Sequence, residues 1–394
     1  MKNFILLFTI TLLSINVFSA DIYWIGSSGM WNDTTKWSYN NLTTCNCLPD
    51  TIDAVKIETN VLVTIPNGFN AISESIYTIN NGNLTVQANG SYTSKNAPVR
   101  GISITGILTN YGTINIDSVE ITGIFSNVRI INNGTINILH TGGSGPAYIG
   151  GIVMVQGTFN NNSGGIINIS RIGSGVIGAG MGTWPSTTQS VTINNYGIIN
   201  IDGSFESGVY TKGGDINNYN TINIDGADFG MRLNGNNSAP YIPGNFVNDT
   251  LGVINIINLS GANKAFGIYI FETNPAVITL TNYGSITVTN GYNYGLYLTS
   301  GLFENFGNVN IDGPLTGFFI TRFSSINGII KGEFINNTLA SCSILNTTSL
   351  GLYLESDAIF EVDSASTFTI DIASGDVAEI YNDATIDFNF DIKP

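Results

Sequence analysis

Residues 281–313 read TNYGSITVTNGYNYGLYLTSGLFENFGNVNIDG, and this stretch contains nearly the same pattern twice. In each copy an Asn-aromatic-Gly triplet, ending at Gly284 or at Gly307, precedes a short run in which aliphatic and polar residues alternate. The two glycines are 23 residues apart. Because alternation is typical of a strand with one face in a core, each copy predicts a short strand that follows a tight turn.

The same unit recurs through most of the chain. Counted at the residue before the alternating run, successive copies are 22–23 or 30–32 residues apart, which indicates a unit of 22 or 23 residues that often contains an insertion. A β-propeller would need a regular period of about 40 residues, so we favour a solenoid. The residues at this first turn are Gly82, Gly112, Gly134, Gly165, Gly197, Asn220, Gly252, Gly284 and Gly307. A second glycine recurs in step with the first, at Gly101, Gly123, Gly208, Gly230, Gly267, Gly295, Gly317 and Gly351.

Each unit has room for about three short strands separated by Gly and Asn. Within the strands the isoleucines keep a period of two, as in Ile222 and Ile224 on either side of Asn223. Isoleucine then faces a core and asparagine faces water. One unit buries too little apolar surface to fold alone, so the units must stack. We therefore predict an all-β protein, a right-handed parallel β-helix with three short strands per rung and roughly a dozen rungs.

A column of asparagines lies two residues before the first turn. Asparagine tolerates the left-handed conformation that turns require, and stacked amides can hydrogen-bond from rung to rung. The pattern predicts a structural column rather than a ligand groove. Its members are Asn110, Asn195, Asn218, Asn282 and Asn305.

The composition favours strands and tight turns over amphipathic helices. The chain has 394 residues, 10% of them charged and 43% hydrophobic, with 46 glycines, and no Pro-, Ser- or charge-rich linker divides it. The net charge is −15, and an acidic surface repels phosphate backbones, so we expect no nucleic-acid partner. We expect no cofactor, although acidic side chains can collect divalent cations and Ca²⁺ remains an alternative. The oligomeric state is left open.

The N-terminus has the pattern of a secretory signal peptide. Lys2 precedes an uncharged run over residues 4–13, and Ser19 and Ala20 are small residues suited to cleavage. The alternative, a membrane anchor, would need a longer apolar run. We expect residues 1–20 to be removed, no later membrane span, and a mature protein that is secreted or on the cell surface.

Three of the four tryptophans lie in a short segment after the signal peptide. Residues 24–38 match the pattern W-x-G-x-x-G-x-W-x-D-x-x-x-W-S. This resembles the opening of secreted bacterial surface proteins built as right-handed, pectin-lyase-like parallel β-helices. The resemblance implies a surface location and an adhesive role more than a chemistry. We expect residues 21–49 to form a Trp-rich cap over the first rung, since a solenoid needs its open end covered, although the rings could instead stack on sugars. Residues 50–394 would form the β-helix, with a C-terminal cap from about 349.

The three cysteines do not make a disulfide scaffold. Cys45 and Cys47 are one residue apart, which makes a mutual disulfide demanding, and their state is left open. Cys342 alternates with Ile344 and is expected to be a buried thiol.

An enzymatic reading is the first alternative, since the resemblance includes polysaccharide lyases and hydrolases. Lyases of this type use an acidic, Ca²⁺-binding cluster and a basic residue. The best match is the set Asp202, Asp225, Asp228 and Arg232. The carboxylates of Asp202 and Asp225, 23 residues apart, would be neighbours on adjacent rungs. Both belong to Ile-Asp-Gly sequences, repeated at Asp312, so a turn explains them as well. His140 is the only histidine and is expected at a rung edge, without a catalytic role.

A column of aromatic residues follows the second glycine. Its members alternate with aliphatic residues, which predicts that they face outward, where a row of rings is costly to expose. Such rings could present apolar faces to a sugar, or could stabilise one another. The column contains Tyr210, Tyr269, Tyr297, Phe319 and Tyr353, with Arg232 in place of an aromatic residue at one position.

The leading hypothesis is a non-catalytic, secreted or surface-displayed module that binds a polysaccharide or cell-surface glycan through Tyr210, Tyr269, Tyr297, Phe319 and Tyr353. The second alternative is an ice- or mineral-binding face formed by Thr113/Asn115, Thr135/Asn137 and Thr221/Asn223. Ile198 and Val253 interrupt its threonine column.

Overall fold

The chain forms a parallel β-helix with three strands per rung, as the repeat predicts. In the computed structural model the described residues are 20–58, 60–141, 149–172, 178–185, 189–204, 206–235, 242–259, 265–271, 278–290, 293–325, 328–355, 357–380 and 385–388. The signal peptide expected at residues 1–20 lies outside these residues except for Ala20. Successive strands of each sheet come from successive rungs, so each sheet runs the length of the solenoid.

The three sheets are named A, B and C, and the chain visits them in that order in each rung. Sheet A contains Trp37–Ser38, Ala20–Trp24, Asp53–Ile57, Ser75–Thr78, Arg100–Ile104, Thr122–Ser126, Ile149–Met154, Gly178–Thr183, Ser207–Lys212, Phe229–Asn234, Phe266–Phe271, Tyr294–Leu298, Thr316–Ile320, Leu350–Leu354 and Asp376–Ile380. Sheet B contains Gly29–Met30, Leu62–Ile65, Asn83–Val86, Ile107–Asn110, Arg129–Asn132, Gly157–Asn161, Val191–Asn195, Gly214–Asn218, Gly244–Asn248, Thr279–Asn282, Gly301–Asn305, Gly328–Asn336, Ile359–Val362 and Thr385–Phe388, with Arg322–Ser325 antiparallel to Gly328–Asn336. Sheet C contains Asn70–Ser73, Ser91–Lys95, Thr113–Val119, Thr135–Thr141, Ile166–Ile172, Ile198–Ser204, Thr221–Asp225, Val253–Ile257, Ser285–Thr289, Asn308–Asp312, Ser341–Thr347 and Thr367–Ile372.

The core is a continuous column of aliphatic and aromatic side chains enclosed by the three sheets. Ile222 and Ile224 are buried, whereas Asn223 between them is partly exposed, as the alternation predicts. The second-turn glycines are needed because sheets A and C approach closely there. A Cβ at Gly208 would lie 2.4 Å from Cγ2 of Ile224, and one at Gly295 would lie 2.2 Å from Cγ2 of Ile311. Both distances are shorter than any side chain tolerates, so these positions exclude a larger residue.

The asparagine column is a buried amide ladder at the corner between sheets B and C. The Nδ2 atom of each residue donates to the Oδ1 atom of the next, one rung further on, at 2.7–2.8 Å. The five residues predicted from the sequence belong to it, and four more complete it. Asn132 has the same offset from Gly134 as the predicted members, whereas longer turns follow Asn161, Asn248 and Asn336. The full ladder is Asn110, Asn132, Asn161, Asn195, Asn218, Asn248, Asn282, Asn305 and Asn336.

The ladder confirms the expected amide stacking and corrects its local explanation. None of its nine residues has a positive φ, so these asparagines are not selected for left-handed turns. They are instead fixed by hydrogen bonds. The Oδ1 atom of Asn110 accepts from the Gly112 backbone N–H at 3.1 Å, and its Nδ2 donates to the Thr135 carbonyl at 3.1 Å as well as to Asn132. A buried amide satisfied in this way is costly to replace.

The N-terminal end of the core is covered by the three tryptophans of the motif. Trp24, Trp31 and Trp37 are buried, and Trp37 packs edge-on against each of the other two with ring centroids 4.9 Å apart. Asp33 accepts a hydrogen bond from the Thr35 backbone N–H and caps the 3₁₀ turn Thr34–Lys36. Because the rings are buried in the core, they offer no surface for stacking on a sugar.

The cysteines and the C-terminal stretch complete the scaffold. Cys45 and Cys47 form a disulfide with their Cα atoms 5.2 Å apart, which answers the question that the sequence left open. Cys342 is a buried free thiol, as expected, and burial raises its pKa. From about 349 the strands continue in parallel register, so the described residues there form further rungs of the three sheets.

Candidate binding surface

The predicted aromatic column lies on the outer face of sheet A. Its members occupy one register position on consecutive strands, and five of the six are partly exposed. Sequence reasoning missed a second row beside it, made by Phe229, Phe266 and Tyr294. The signal for this second row was present, since each of the three residues directly precedes a second-turn glycine. We call Phe229, Phe266, Tyr269, Tyr294, Tyr297, Phe319 and Tyr353 the aromatic patch.

The rings of the aromatic patch pack on one another. Phe319 is stacked between Tyr297 and Tyr353, with centroid distances of 4.8 and 4.3 Å and interplanar angles of 5° for both. Rings that stack in parallel between neighbouring rungs stand across the solenoid axis, so their edges rather than their faces point to solvent. The expectation that these rings offer full faces to a sugar is therefore wrong for Phe319. Tyr294 and Tyr297, from the two rows, meet edge to face at 5.0 Å.

Burial affects the pKa of two tyrosine hydroxyls in the patch, those of Tyr269 and Tyr297. Burial raises the pKa of Tyr269. Burial, followed by the influence of Tyr269, Tyr294 and Glu355, raises the pKa of Tyr297 to about 12. The patch is thus an apolar surface bordered by hydroxyl groups that can donate hydrogen bonds.

Tyr210 belongs to the column but not to the accessible surface. It is only 2% exposed because Trp184 packs against it on the outer face of sheet A, with the ring centroids 4.5 Å apart and the ring planes tilted by 35°. Val153 and Ala179 complete this small outer cluster. The sequence-based assignment of Tyr210 as a ligand-binding residue is therefore wrong, because Trp184 covers its ring.

The candidate acidic site is divided between two faces of the solenoid. Asp202 and Asp225 are register partners on the outer face of sheet C, as their spacing predicts. Arg232 lies on sheet A, where its guanidinium forms an ion pair with Glu206, a residue that sequence reasoning did not single out. Glu206 also accepts from the Gly178 backbone N–H at 3.0 Å. Arg232, the base that the lyase alternative requires, is therefore paired with Glu206 and lies on a different sheet from Asp202 and Asp225. Asp228, the fourth member of the set, lies in the turn before Phe229–Asn234, where its backbone carbonyl accepts from the Phe266 N–H at 2.9 Å.

Turn geometry accounts for the repeated Ile-Asp-Gly sequences. The glycines that follow Asp202, Asp225 and Asp312 have φ values of 63°, 73° and 83°. Such conformations favour glycine, so the triplet marks the bend at which the chain leaves sheet C. The Asp225 carboxylate accepts a hydrogen bond from Asn258 one rung further on, at 3.0 Å.

His140 is held at the edge of sheet C by two neighbours. Its Nδ1 lies 3.1 Å from Asp117 Oδ1, and Arg171 Nη1 donates to its Nε2 at 2.8 Å. Burial acts to raise the pKa of Asp117, but hydrogen bonds from His140 and Ser118 outweigh it and the pKa is lowered. With both ring nitrogens engaged, His140 has no free position from which to accept a substrate proton. Among the described residues, no group of three or more His, Cys, Asp or Glu side chains could hold a metal ion.

The outer face of sheet C carries a second amide row. Each asparagine donates from Nδ2 to the Oδ1 of its neighbour in the preceding rung at 2.8–2.9 Å, opposite in direction to the buried ladder. In the observed register the threonine column beside it is interrupted by Ile166 as well as by Ile198 and Val253. The outer row is Asn115, Asn137, Asn168, Asn200, Asn223 and Asn255.

A further set of rings lies at the corner between sheets B and C and was not identified from the sequence as a surface. Tyr196 stacks on Tyr219 at 4.4 Å, and Tyr283 stacks on Phe306 at 4.9 Å. Each of these residues directly follows a ladder asparagine, in an Asn-aromatic-Gly triplet or, for Tyr219, before Asn220, so the repeat itself was the signal. They form separate pairs, whereas the aromatic patch on sheet A is continuous.

Comparisons of the chain with protein-family models, with curated proteins and with solved structures find no match. The described residues form no helix with the length and apolar character needed to cross a membrane.

Proposed function

We propose that the protein is a secreted or surface-displayed, non-catalytic module that binds a glycan along the outer face of sheet A. The observation that supports this most is the continuity of the aromatic patch, which spans the strands from Phe229–Asn234 to Leu350–Leu354. An extended row of partly exposed rings is costly in water unless a ligand covers it. A linear polysaccharide matches a surface that repeats once per rung.

The glycan would be recognised through ring edges and tyrosine hydroxyls. The parallel stacks fill the ring faces, so the sugar contacts the apolar edges while its own hydroxyls pair with those of Tyr269, Tyr294 and Tyr297. The Cys45–Cys47 disulfide supports an oxidising, extracellular location. The resemblance of residues 24–38 to the opening of bacterial surface proteins points the same way.

The test is retention of the mature chain on a panel of immobilised polysaccharides, with the soluble fraction scored for new reducing or unsaturated ends. We expect retention without cleavage. Replacing Tyr269 and Tyr297 together by Phe removes two hydroxyls and keeps the rings, and replacing both by Ser removes the rings as well. Retention should fall in both double variants, further in the Ser pair. The control is the double Ser variant of Tyr196 and Tyr219, a stacked pair on another face.

Three results would reject this proposal. Retention by no polysaccharide would remove its basis, and equal loss in the Tyr196/Tyr219 control would show a general effect of removing ring pairs. Cleavage abolished by Asp225→Asn would establish the enzymatic alternative. The ice- or mineral-binding alternative has no comparable support, since the threonine column is interrupted and the amides beside it bond to one another.

A further inference from the structure

A second feature of the outer face of sheet A lies toward the N-terminal end of the solenoid. A cleft of about 300 Å³ opens there, at the lower limit of volumes typical for small-molecule sites. Three strands lie between Thr122–Ser126, which contributes Thr122 and Phe125 to its lining, and Phe229–Asn234, where the aromatic patch begins. At one inter-strand spacing per rung this places the two strands roughly 19 Å apart. The cleft is lined by Val99, Arg100, Ile121, Thr122, Phe125, Val153, Val155 and Trp184.

The described residues of the cleft walls are almost entirely apolar, with one cation, Arg100, among them. The Arg100 guanidinium lies over the Phe125 ring, 3.6 Å from its centroid. Its Nη1 donates to Ser103 Oγ at 3.3 Å, and its Nε is buried without a hydrogen-bond partner. A planar guanidinium on an aromatic ring is held in one orientation, which leaves its N–H groups preorganised for an acceptor.

Most other partly buried cations that the structure describes are paired with a carboxylate. Three form ion pairs, Lys56 with Asp21, Arg232 with Glu206 and Arg322 with Asp357, whereas Lys36 donates to Ser27 Oγ. No described carboxylate lies within ion-pair distance of Arg100. The connections into and out of the neighbouring strands, residues 142–148, 173–177 and 186–188, contain no Asp or Glu. A cation in an apolar cleft is unfavourable without a carboxylate partner. The chain has 28 acidic and 13 basic residues, so acidic partners are not scarce in it.

We propose that this cleft, the Arg100 cleft, binds a small organic carboxylate with an apolar body. The carboxylate pairs with the guanidinium of Arg100, which recognises its two oxygens together. The body packs against Phe125, Trp184 and the valines. A body of hydroxyl-bearing carbons fits poorly, because apart from Thr122 the wall residues named above offer a sugar few hydrogen-bond partners. The site is therefore distinct from the proposed glycan surface and does not depend on it.

The experiment uses benzoate as the probe, measured by calorimetry or ligand-observed magnetic resonance on the full mature chain. We expect saturable binding of benzoate, at least tenfold weaker binding of benzamide, which lacks the charge, and at least tenfold weaker binding of acetate, which lacks the body. Glucuronate tests the acidic-sugar source of the same carboxylate and should bind less tightly than benzoate.

Arg100→Gln should weaken benzoate binding at least tenfold, and Arg129→Gln, at an exposed arginine on sheet B, should leave it unchanged. Arg100→Lys keeps the charge without the planar fork and should lose part of the affinity, which serves as the test if Arg100→Gln folds poorly. The Tyr269/Tyr297 Ser variant should bind benzoate normally, which separates this site from the glycan surface. Absence of benzoate binding, equal affinity for benzamide, undiminished binding after either Arg100 substitution, or tighter binding of glucuronate would overturn the proposal.

Discussion

The outer faces of sheets A and C stand on the same rungs and use their side chains differently. On sheet C the asparagines from Asn115 to Asn255 donate to and accept from one another. On sheet A the rings from Phe229 to Tyr353 also contact one another, yet all of them except the buried Phe229 remain partly exposed. An amide row satisfies much of its own hydrogen bonding, whereas a row of rings still carries apolar area that water solvates poorly. The comparison teaches that a repeating row can be self-sufficient or can favour a partner, according to its chemistry.

The largest effect should come from reversing inside and outside on sheet C. Ile222→Asp places a carboxylate in the closed core, where no partner is available, and we expect a loss above about 4 kcal/mol that unfolds much of the chain. Asn223→Asp, one residue away on the outer face, should cost less than about 1 kcal/mol. Urea denaturation followed by circular dichroism measures both. Equal damage from the two substitutions would mean that the faces have been assigned in reverse.

A smaller effect on stability is expected when one side chain is removed from the row of rings on sheet A or from the outer amide row on sheet C. Tyr297→Ser removes a ring that contacts Tyr269, Tyr294 and Phe319, and each aromatic pair contributes about 0.5–1.5 kcal/mol. Asn223→Ser removes one amide from an exposed row, where a net hydrogen bond contributes about 1 kcal/mol or less. Thermal melting should therefore fall further for Tyr297→Ser. A larger fall for Asn223→Ser would contradict the distinction between the two faces.

The two faces should also differ in their response to alkaline pH. The pKa of Tyr297 is raised from 10.0 to about 12, so the folded chain keeps a proton that the unfolded chain releases. Its contribution to stability is complete below pH 10 and is lost as the pH rises toward 12. In melting curves recorded across this window, Tyr297→Phe should decline less steeply than the wild type. Asn223→Ser, which changes no titrating group, should keep the wild-type slope.

The smallest effect is expected at His140 on sheet C. His140→Ala should leave both glycan retention and polysaccharide size distributions unchanged, because Asp117 and Arg171 occupy both ring nitrogens. The free energy of unfolding should change by no more than about 0.5 kcal/mol, as for most surface positions. A loss of glycan retention in this variant would move the functional face from sheet A to sheet C.

The repeat predicted the fold because it consists of residues at fixed, short separations along the chain. Alternation placed Ile222 inward and Asn223 outward, and the triplets that end at Gly284 and Gly307 located the corner between sheets B and C. Five members of the buried ladder were found by a fixed offset from the glycine. Asn161 and Asn248 were missed because their turns hold two extra residues, which changes the offset without changing the stacking.

The outer face of sheet A was harder to predict because its state depends on contacts across rungs. The column was found, but the burial of Tyr210 depends on Trp184, 26 residues earlier in the chain. The engagement of Arg232 depends on Glu206 in the preceding rung. No described carboxylate lies close enough to Arg100 to form an ion pair, and a sequence pattern cannot show how far each acidic residue lies from it. Such features require the register of insertion-bearing rungs, which the spacing alone does not determine.

The buried amide ladder has a consequence for how such a protein can change in length. Successive ladder members are 22, 29, 34, 23, 30, 34, 23 and 31 residues apart, yet every junction has the same Nδ2–Oδ1 hydrogen bond. The hydrogen bond at each junction is therefore the same whatever the number of residues in the rung. Deleting or duplicating one whole rung, from one ladder asparagine to the next, would again join asparagine to asparagine. Gene-level gain or loss of a rung therefore needs no compensating mutation at the seam, while loops within a rung can lengthen independently.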